Sequence, residues 1–363
     1  MNLDGEAVSW EDIQAPRLEL GRAPASILLI QSGFLGDSSL SVPLAREAKR
    51  LYPAARLSIL TLPGRETLFR RSGADEIIPD DKRGADGGML GILKLSRRLK
   101  ARRFDIALVP HRSFRSALLA ALSGSRARIG FSNSEGRFLL THAVPFHWRM
   151  PDLERQLSLL KSLAPELALP SDAGIYLAPG SVEIERMSEK LEAAGFGAGR
   201  RLVGIHAGST WGTKRWLKEG YSSLCKSLVE RGAGVVLIGG AGDRAVSDEI
   251  AQESGALNWT GETSLPDLIA LLSKLSLFVT NDSGPMHLAC GLGVKTLAVF
   301  GPTTRALGFF PYGAGHRVIE SALPCRPCSL HGPSRCPRGH FLCMRLVTPQ
   351  RVMEAALQML DLG

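Results

Sequence analysis

No stretch of about 18 uncharged apolar residues occurs in the 363-residue sequence, so nothing in it reads as a membrane-crossing helix. The first 22 residues carry acids where a secretory leader needs a basic and then an apolar stretch, and the chain is expected to stay in the cytoplasm. The dinucleotide fingerprint G-x-G-x-x-G is also missing, which counts against a nicotinamide-dependent oxidoreductase. Aromatic residues make up only 6% and are not interleaved with the cations, which argues against a nucleic-acid-binding protein. Charge of one sign is in deficit: 35 Asp and Glu face 44 Lys and Arg, a formal net charge of +9. Such a balance suits an anionic membrane face or phosphorylated substrates as well as an ordinary solvated surface.

Composition is otherwise globular, and at a prior of ~150 residues per domain the length suggests two domains. Short apolar runs alternate with helix-like stretches throughout. Strands are predicted at 26–31, 56–62, 76–79 and 105–110, with helices at 40–51, 64–72, 88–102 and 113–122. A second series has strands at 201–206, 234–238, 277–280 and 295–300, with helices at 217–231, 244–254, 264–273 and 285–291. Near-continuous apolar strands imply parallel sheets covered on both faces, hence two doubly wound α/β domains. The division expected is an extension over 1–24, a first domain over 25–172, a second over 173–348, and a closing helix within 349–363 that packs back on the first domain. The join falls in a Pro-, Gly- and Ala-rich stretch at 168–182.

Ligands of open parallel sheets bind beyond the carboxyl ends of the strands, which singles out the strand-to-helix junctions. After the first strand comes SGFLGDS, where Gly33 and Gly36 allow a close approach to backbone N–H groups. Asp37 there reads as a helix cap or as a general base that deprotonates a hydroxyl. HAGSTWGTKRW begins the next junction of interest, at His206. Ser209 and Thr210 offer hydroxyls, and Lys214 and Arg215 supply cations for a diphosphate. A third junction, TNDSGPMH, places Asp282, Ser283 and Gly284 at the start of a helix whose N–H groups suit an anion, with His287 one turn on. Asp243, in GGAGD, reads either as a ribose contact or as another helix cap.

Taken in order, the strings SGFLGDSSLSVPLA, HRSFRSALLAALSGSRARIGF, HAGSTWGTKRW, TNDSGPMHLACGLGVKTLAVFGPT and CRPCSLHGPSRCPRGHFLCM resemble glycosyltransferase family nine, the ADP-heptose:lipopolysaccharide heptosyltransferases. HRSFRSALLA and TKRW are more similar to the second heptosyltransferase than to the first. The resemblance implies a GT-B fold, two Rossmann-like domains facing across a cleft, and an inverting transfer that needs no metal. It implies Asp37 as catalytic base on the family's glycine–aspartate position, beside Gly36. It implies Lys214, with Ser209 and Thr210, at the donor diphosphate, and Asp282, Ser283, Gly284 and His287 on a second donor loop. Ser38-Ser39-Leu40 and His206-Ala207-Gly208 depart from the family pattern, which leaves the donor and acceptor sugars open. A GT-B transferase using another nucleotide sugar is the alternative.

The partners implied are ADP-heptose and a phosphorylated, lipid-linked core acceptor at the inner face of the cytoplasmic membrane. The six cations within 94–103, with Arg112, Arg115, Arg126 and Arg128 beyond, are expected to meet that anionic surface. Four of the six cysteines, Cys325, Cys328, Cys336 and Cys343, have the spacing C-x2-C-x7-C-x6-C. They are candidates for a structural zinc, against the alternative of free buried thiols.

Overall fold

The computed structural model describes residues 8–197 and 199–361. The chain divides into two units between Leu177 and Ala178, inside the low-periodicity stretch at 168–182.

The first domain is built on strands β1 (Ser26–Gln31), β2 (Arg56–Thr61), β3 (Glu76–Pro79), β4 (Ile106–Val109), β5 (Ala127–Phe131) and β6 (His142–Val144). They form one six-stranded sheet in the order β3-β2-β1-β4-β5-β6, every neighbouring pair parallel. Leu28, Ile30, Leu60, Ala107 and Val109 pack against Leu95, Leu99, Leu119 and Ala120 from the helices, which is why the strands read as unbroken apolar runs. The start of the chain is tied to this unit. Buried Trp10 donates its indole N–H to the Leu167 carbonyl at 2.8 Å, and the Leu18 amide reaches the Ser162 carbonyl at 2.8 Å.

The second domain repeats the plan with β7 (Leu202–His206), β8 (Gly234–Leu237), β9 (Leu257–Asn258), β10 (Leu277–Asn281), β11 (Thr296–Phe300) and β12 (Arg317–Glu320). Its six-stranded parallel sheet runs β12-β11-β10-β7-β8-β9. Counted from its own first strand this is the same order as in the first sheet. In both, the winding reverses between the first and fourth strands, β1/β4 and β7/β10, and the loops leaving those strands are where a ligand is expected. Two doubly wound parallel α/β units are what the GT-B expectation requires.

Three expectations are corrected. Residues 64–72 were expected as a helix, but only a 3₁₀ turn, Glu66–Phe69, forms between Gly64 and Gly73, both at positive φ that a helix does not accept. The closing helix Pro349–Leu360, expected to pack on the first domain, buries Val352, Ala356, Met359 and Leu360 in the core of the second. The zinc expectation also fails: among the described residues no group of three or more His, Cys, Asp or Glu side chains is placed to hold a metal ion. All six cysteines are free thiols; Cys343 is drawn into the second domain's apolar core, and the Cys328 thiol donates to the Cys325 carbonyl at 3.2 Å.

Candidate active site

In the first domain, β1 delivers the chain through Ser32-Gly33-Phe34 into the short helix Leu35–Leu40. Asp37 sits in its first turn, half-buried, and its Oδ2 accepts the Phe34 amide at 2.9 Å. That bond is the capping role open to any acid at a helix start. The surroundings set Asp37 apart from an ordinary cap. Burial, reinforced by the nearby Asp152 carboxylate, raises its pKa from 3.8 to about 6, against the opposing pull of the Phe34 amide, Arg112 and Arg65. A carboxylate with that affinity is a usable general base at neutral pH. The other candidate in reach of this edge is His111, which burial together with Lys82 and Arg112 pushes down to about 4, making it the weaker proton acceptor.

The loop is locked from beneath. Arg65 donates to the Gly33 carbonyl at 2.6 Å and to the Ser38 hydroxyl at 2.7 Å, and Lys82 donates to the Ser32 carbonyl at 2.6 Å. The Ser32 hydroxyl reaches Asp80 at 2.8 Å, and Asp80, fully buried, is paired with Arg115 at 2.5 Å. Gly33 cannot be larger without rearrangement: a Cβ there would come within 2.8 Å of Gln31 Oε1 and 2.9 Å of Asp37 Oδ2. Arg112 lies over the Phe146 ring at 4.7 Å. Asp152 is held by Arg155 at 2.9 Å and by Gln156 at 2.7 Å. Sequence reasoning did not single out Arg65, Lys82 or Asp152, because no local string connects them with Asp37.

In the second domain, β7 ends at His206 and the loop runs on to a 3₁₀ turn, Gly212–Lys214. Neighbouring β10 ends at Asn281 and leads into helix Gly284–Gly291. Asn281 ties the two junctions together. Its side-chain N–H groups reach the Ala207 and Gly208 carbonyls at 2.9 and 3.0 Å, and its carbonyl accepts the Trp216 amide and the Tyr221 hydroxyl, each at 2.9 Å. The string TNDSG contained this residue, but its bracing role depends on contacts that only the folded sheet creates.

Lys214 is paired with Asp282 at 2.7 Å, and Asp282 also accepts the Thr303 hydroxyl at 2.6 Å. An ammonium has three N–H donors, so the pair leaves capacity for a further anion. Ser283 is the N-cap of helix Gly284–Gly291, yet no side chain caps that helix; the Ser283 hydroxyl is turned to His206 Nδ1 at 3.1 Å and Thr280 at 3.0 Å. At this helix start Pro285 has no N–H and the Met286 amide is bonded to the Ser283 carbonyl at 3.2 Å, so it is the Gly284 amide that no side chain caps. Ser209 is buried while Thr210 is exposed, and His287 is buried one turn into the helix.

Asp243 accepts the Gly240 amide at 3.2 Å, which is its bland helix-start role, and it lies 3.6 Å from His206 Nε2 and 3.4 Å from Arg215. Its bond to His206 is the chief cause that holds its pKa below the usual value. Gly208 faces this carboxyl so closely that a Cβ would collide with it. Gly208→Ala is therefore expected to destabilise the protein by ~1–3 kcal/mol. Thermal melting checks this; an unchanged melting temperature would mean that the Asp243 carboxyl moves aside freely.

Residues 92–335 match the family model of glycosyltransferase family 9 (heptosyltransferase). Lipopolysaccharide heptosyltransferase 2 of Escherichia coli K12 is 29% identical over 350 residues, covering 90% of this chain and 96% of that protein. The solved structure of E. coli ADP-heptose lps heptosyltransferase II aligns over 93% of this chain and 98% of its own, with 26% identity and a TM-score of 0.75. A family 9 glycosyltransferase from Veillonella parvula shares the fold with a TM-score of 0.85 at 22% identity, over 96% of this chain and the whole of that one. With two doubly wound units, a carboxylate at one switch point and a cation-bearing loop at the other, the chain belongs to glycosyltransferase family 9, the heptosyltransferases.

Proposed function

We propose that this glycosyltransferase moves heptose from ADP-heptose, with inversion, to the inner core of lipopolysaccharide. The observation that carries the reading is Asp37: a half-buried carboxylate with a pKa of about 6 at the switch point of the first sheet. In the reaction proposed, an acceptor hydroxyl attacks the anomeric carbon as its proton passes to Asp37. The new C–O bond forms while the bond to the diphosphate breaks, and ADP leaves with the electron pair. Lys214, the Ser209 and Thr210 hydroxyls, Ser283 and the Gly284 amide take up the negative charge that develops on the diphosphate. Gly36 allows the acceptor close to the backbone, Asp243 addresses the ribose and His287 supports the donor loop. The similarity to heptosyltransferases named for lipopolysaccharide and ADP-heptose supports this choice of donor and acceptor.

A lipid-linked, phosphorylated acceptor places the work at the inner face of the cytoplasmic membrane. Among the described residues no helix is long and apolar enough to cross a membrane, so the contact proposed is peripheral. The test is a transfer assay on defined truncated core acceptors, read by mass, with a panel of nucleotide sugars. A mass gain of one heptose from ADP-heptose alone is expected; transfer from a hexose donor instead would replace the reading with a different GT-B activity. Activity should also survive EDTA, because protein cations and amides carry the diphosphate charge. Loss with EDTA and recovery with magnesium would overturn that part.

A further inference from the structure

Helix Gly88–Lys100, in the first domain, carries no acid and shows two kinds of residue along its exposed side. Its first turns present Met89 and Leu90, 66% and 83% exposed, with Leu93 beside them. Farther along the same side come Lys94, Arg97 and Lys100, all exposed. Positions 90, 93, 94, 97 and 100 follow the three- and four-residue spacing of one helix face. This helix packs on helix Phe114–Leu122, which in turn packs on the 3₁₀ turn Arg137–Leu139. Those neighbours add exposed Phe114 and Phe138, the latter 74% exposed, with ring centroids 6.2 Å apart. Arg83 and Arg137 stand exposed at the margins, and the nearby Glu135 carboxylate is turned to the Phe114 amide at 3.0 Å.

Single exposed apolar side chains are ordinary on a protein surface. Several large ones at the starts of adjoining elements, backed by cations, are the pattern of a surface that enters a lipid interface. A second copy of this chain fits poorly, since a two-fold contact would bring like cations against one another. Both helices follow parallel strands, β3 and β4, so their starts lie at the sheet edge that carries Asp37.

We propose that Met89, Leu90, Leu93, Phe114 and Phe138 form a membrane-inserting tip, and that Lys94 and Arg97 hold it on anionic lipid headgroups. This deepens, and rests on, the reading of a lipid-linked acceptor. It also narrows the basic segment expected from the sequence. Arg102 is committed to Glu76 at 2.6 Å, Arg98 lies 3.7 Å from Asp86, and Arg115 is committed to buried Asp80, so these hold the domain together.

The experiment uses the full chain with vesicles of phosphatidylcholine alone or mixed with phosphatidylglycerol, read by co-sedimentation over a salt series. Wild type is expected to bind the mixed vesicles and to release with salt. The variant Met89→Ser/Leu90→Ser/Phe138→Ser should lose ~10-fold or more in vesicle affinity. The variant Lys94→Glu/Arg97→Glu should lose the salt-sensitive part. Both should keep wild-type transfer to a soluble, delipidated acceptor. Equal vesicle binding by wild type and the triple variant overturns the proposal, as does wild type that ignores phosphatidylglycerol. A dimer in solution that the triple variant dissolves, without vesicle binding, overturns it in favour of a protein contact. No heptose transfer to the soluble acceptor would instead sink the functional reading, and the vesicle result would stand on its own.

Discussion

Asp37→Asn should lower the transfer rate by ~10²–10⁴-fold while donor binding stays near wild type, because a general base contributes to the chemical step and not to the nucleotide pocket. The amide oxygen can still accept the Phe34 N–H, so the helix start is retained. Wild-type activity should rise with pH through about 6 and then level, since the reacting form is the carboxylate. Below that value it should fall about tenfold per pH unit. Stability should run the other way. With the folded value raised from 3.8 to about 6, the native state binds this proton more tightly than the unfolded chain between those limits. Stability contributed by this group is therefore present at low pH and lost as pH rises through about 6. The Asn variant, which carries no charge to desolvate, should accordingly melt higher than wild type at pH 7.5. A variant within a few-fold of wild-type rate would remove Asp37 from the mechanism, and a lower melting temperature would count against the burial argument.

Lys214→Met should cost both stability and rate. Its ammonium and Asp282 are largely buried at 2.7 Å, and removing one partner of such a pair costs ~3–5 kcal/mol because the other charge is stranded. Thr303 offers Asp282 only one neutral donor in compensation. Under the proposed mechanism, in which Lys214 donates to the departing diphosphate, its loss should cut kcat by ~10²–10³-fold. The double variant Lys214→Met/Asp282→Asn separates the two effects. It should recover much of the stability, since no uncompensated charge remains, and little of the rate. Recovery of both would mean that Lys214 serves the fold alone; kcat near wild type in the single variant would exclude it from the diphosphate site.

The central strands were legible because burial on both faces makes them apolar throughout, as in SILLIQ and GVVL. β5 was not, because ARIGF lies in an arginine-rich stretch whose Arg128 is needed to bind the Leu139 and Ser125 carbonyls. β6, β9 and β12, at or near the sheet margins and two to four residues long, have too little pattern to stand out. Of the candidate site, what each strand end carries in its own loop could be read directly: Asp37, Ser209, Lys214, Asp282, Ser283. What the sheet brings from elsewhere could not. Asp152, which helps to raise the Asp37 pKa, opens the helix Asp152–Leu157, and Arg112 comes from the loop after β4. Asn281 could be seen in its string, but not that it braces the neighbouring junction. The cysteine spacing misled for a different reason: the four thiols do come near enough to act on one another, but Cys343 is drawn into the core and the Cys328 thiol turns to a main-chain carbonyl, so among the described residues no metal-holding group forms.

The burial of helix Pro349–Leu360 in the second core has a consequence for biosynthesis. The first domain's sheet is complete at Val144, and its unit closes at Leu177, so it can condense while the rest of the chain is still being made. The second cannot finish until Leu360 has left the ribosome, because Val352, Ala356 and Met359 are part of its interior. At ~5–20 residues per second, the stretch from Phe300 to Leu360 leaves an interval of roughly 3–12 s in which apolar strands such as β10 and β11 lack their last cover. During that window the nascent second half is the part most exposed to mispairing and to chaperone capture, and a ribosome stalled just short of the final helix would hold a finished first domain and an unfinished second.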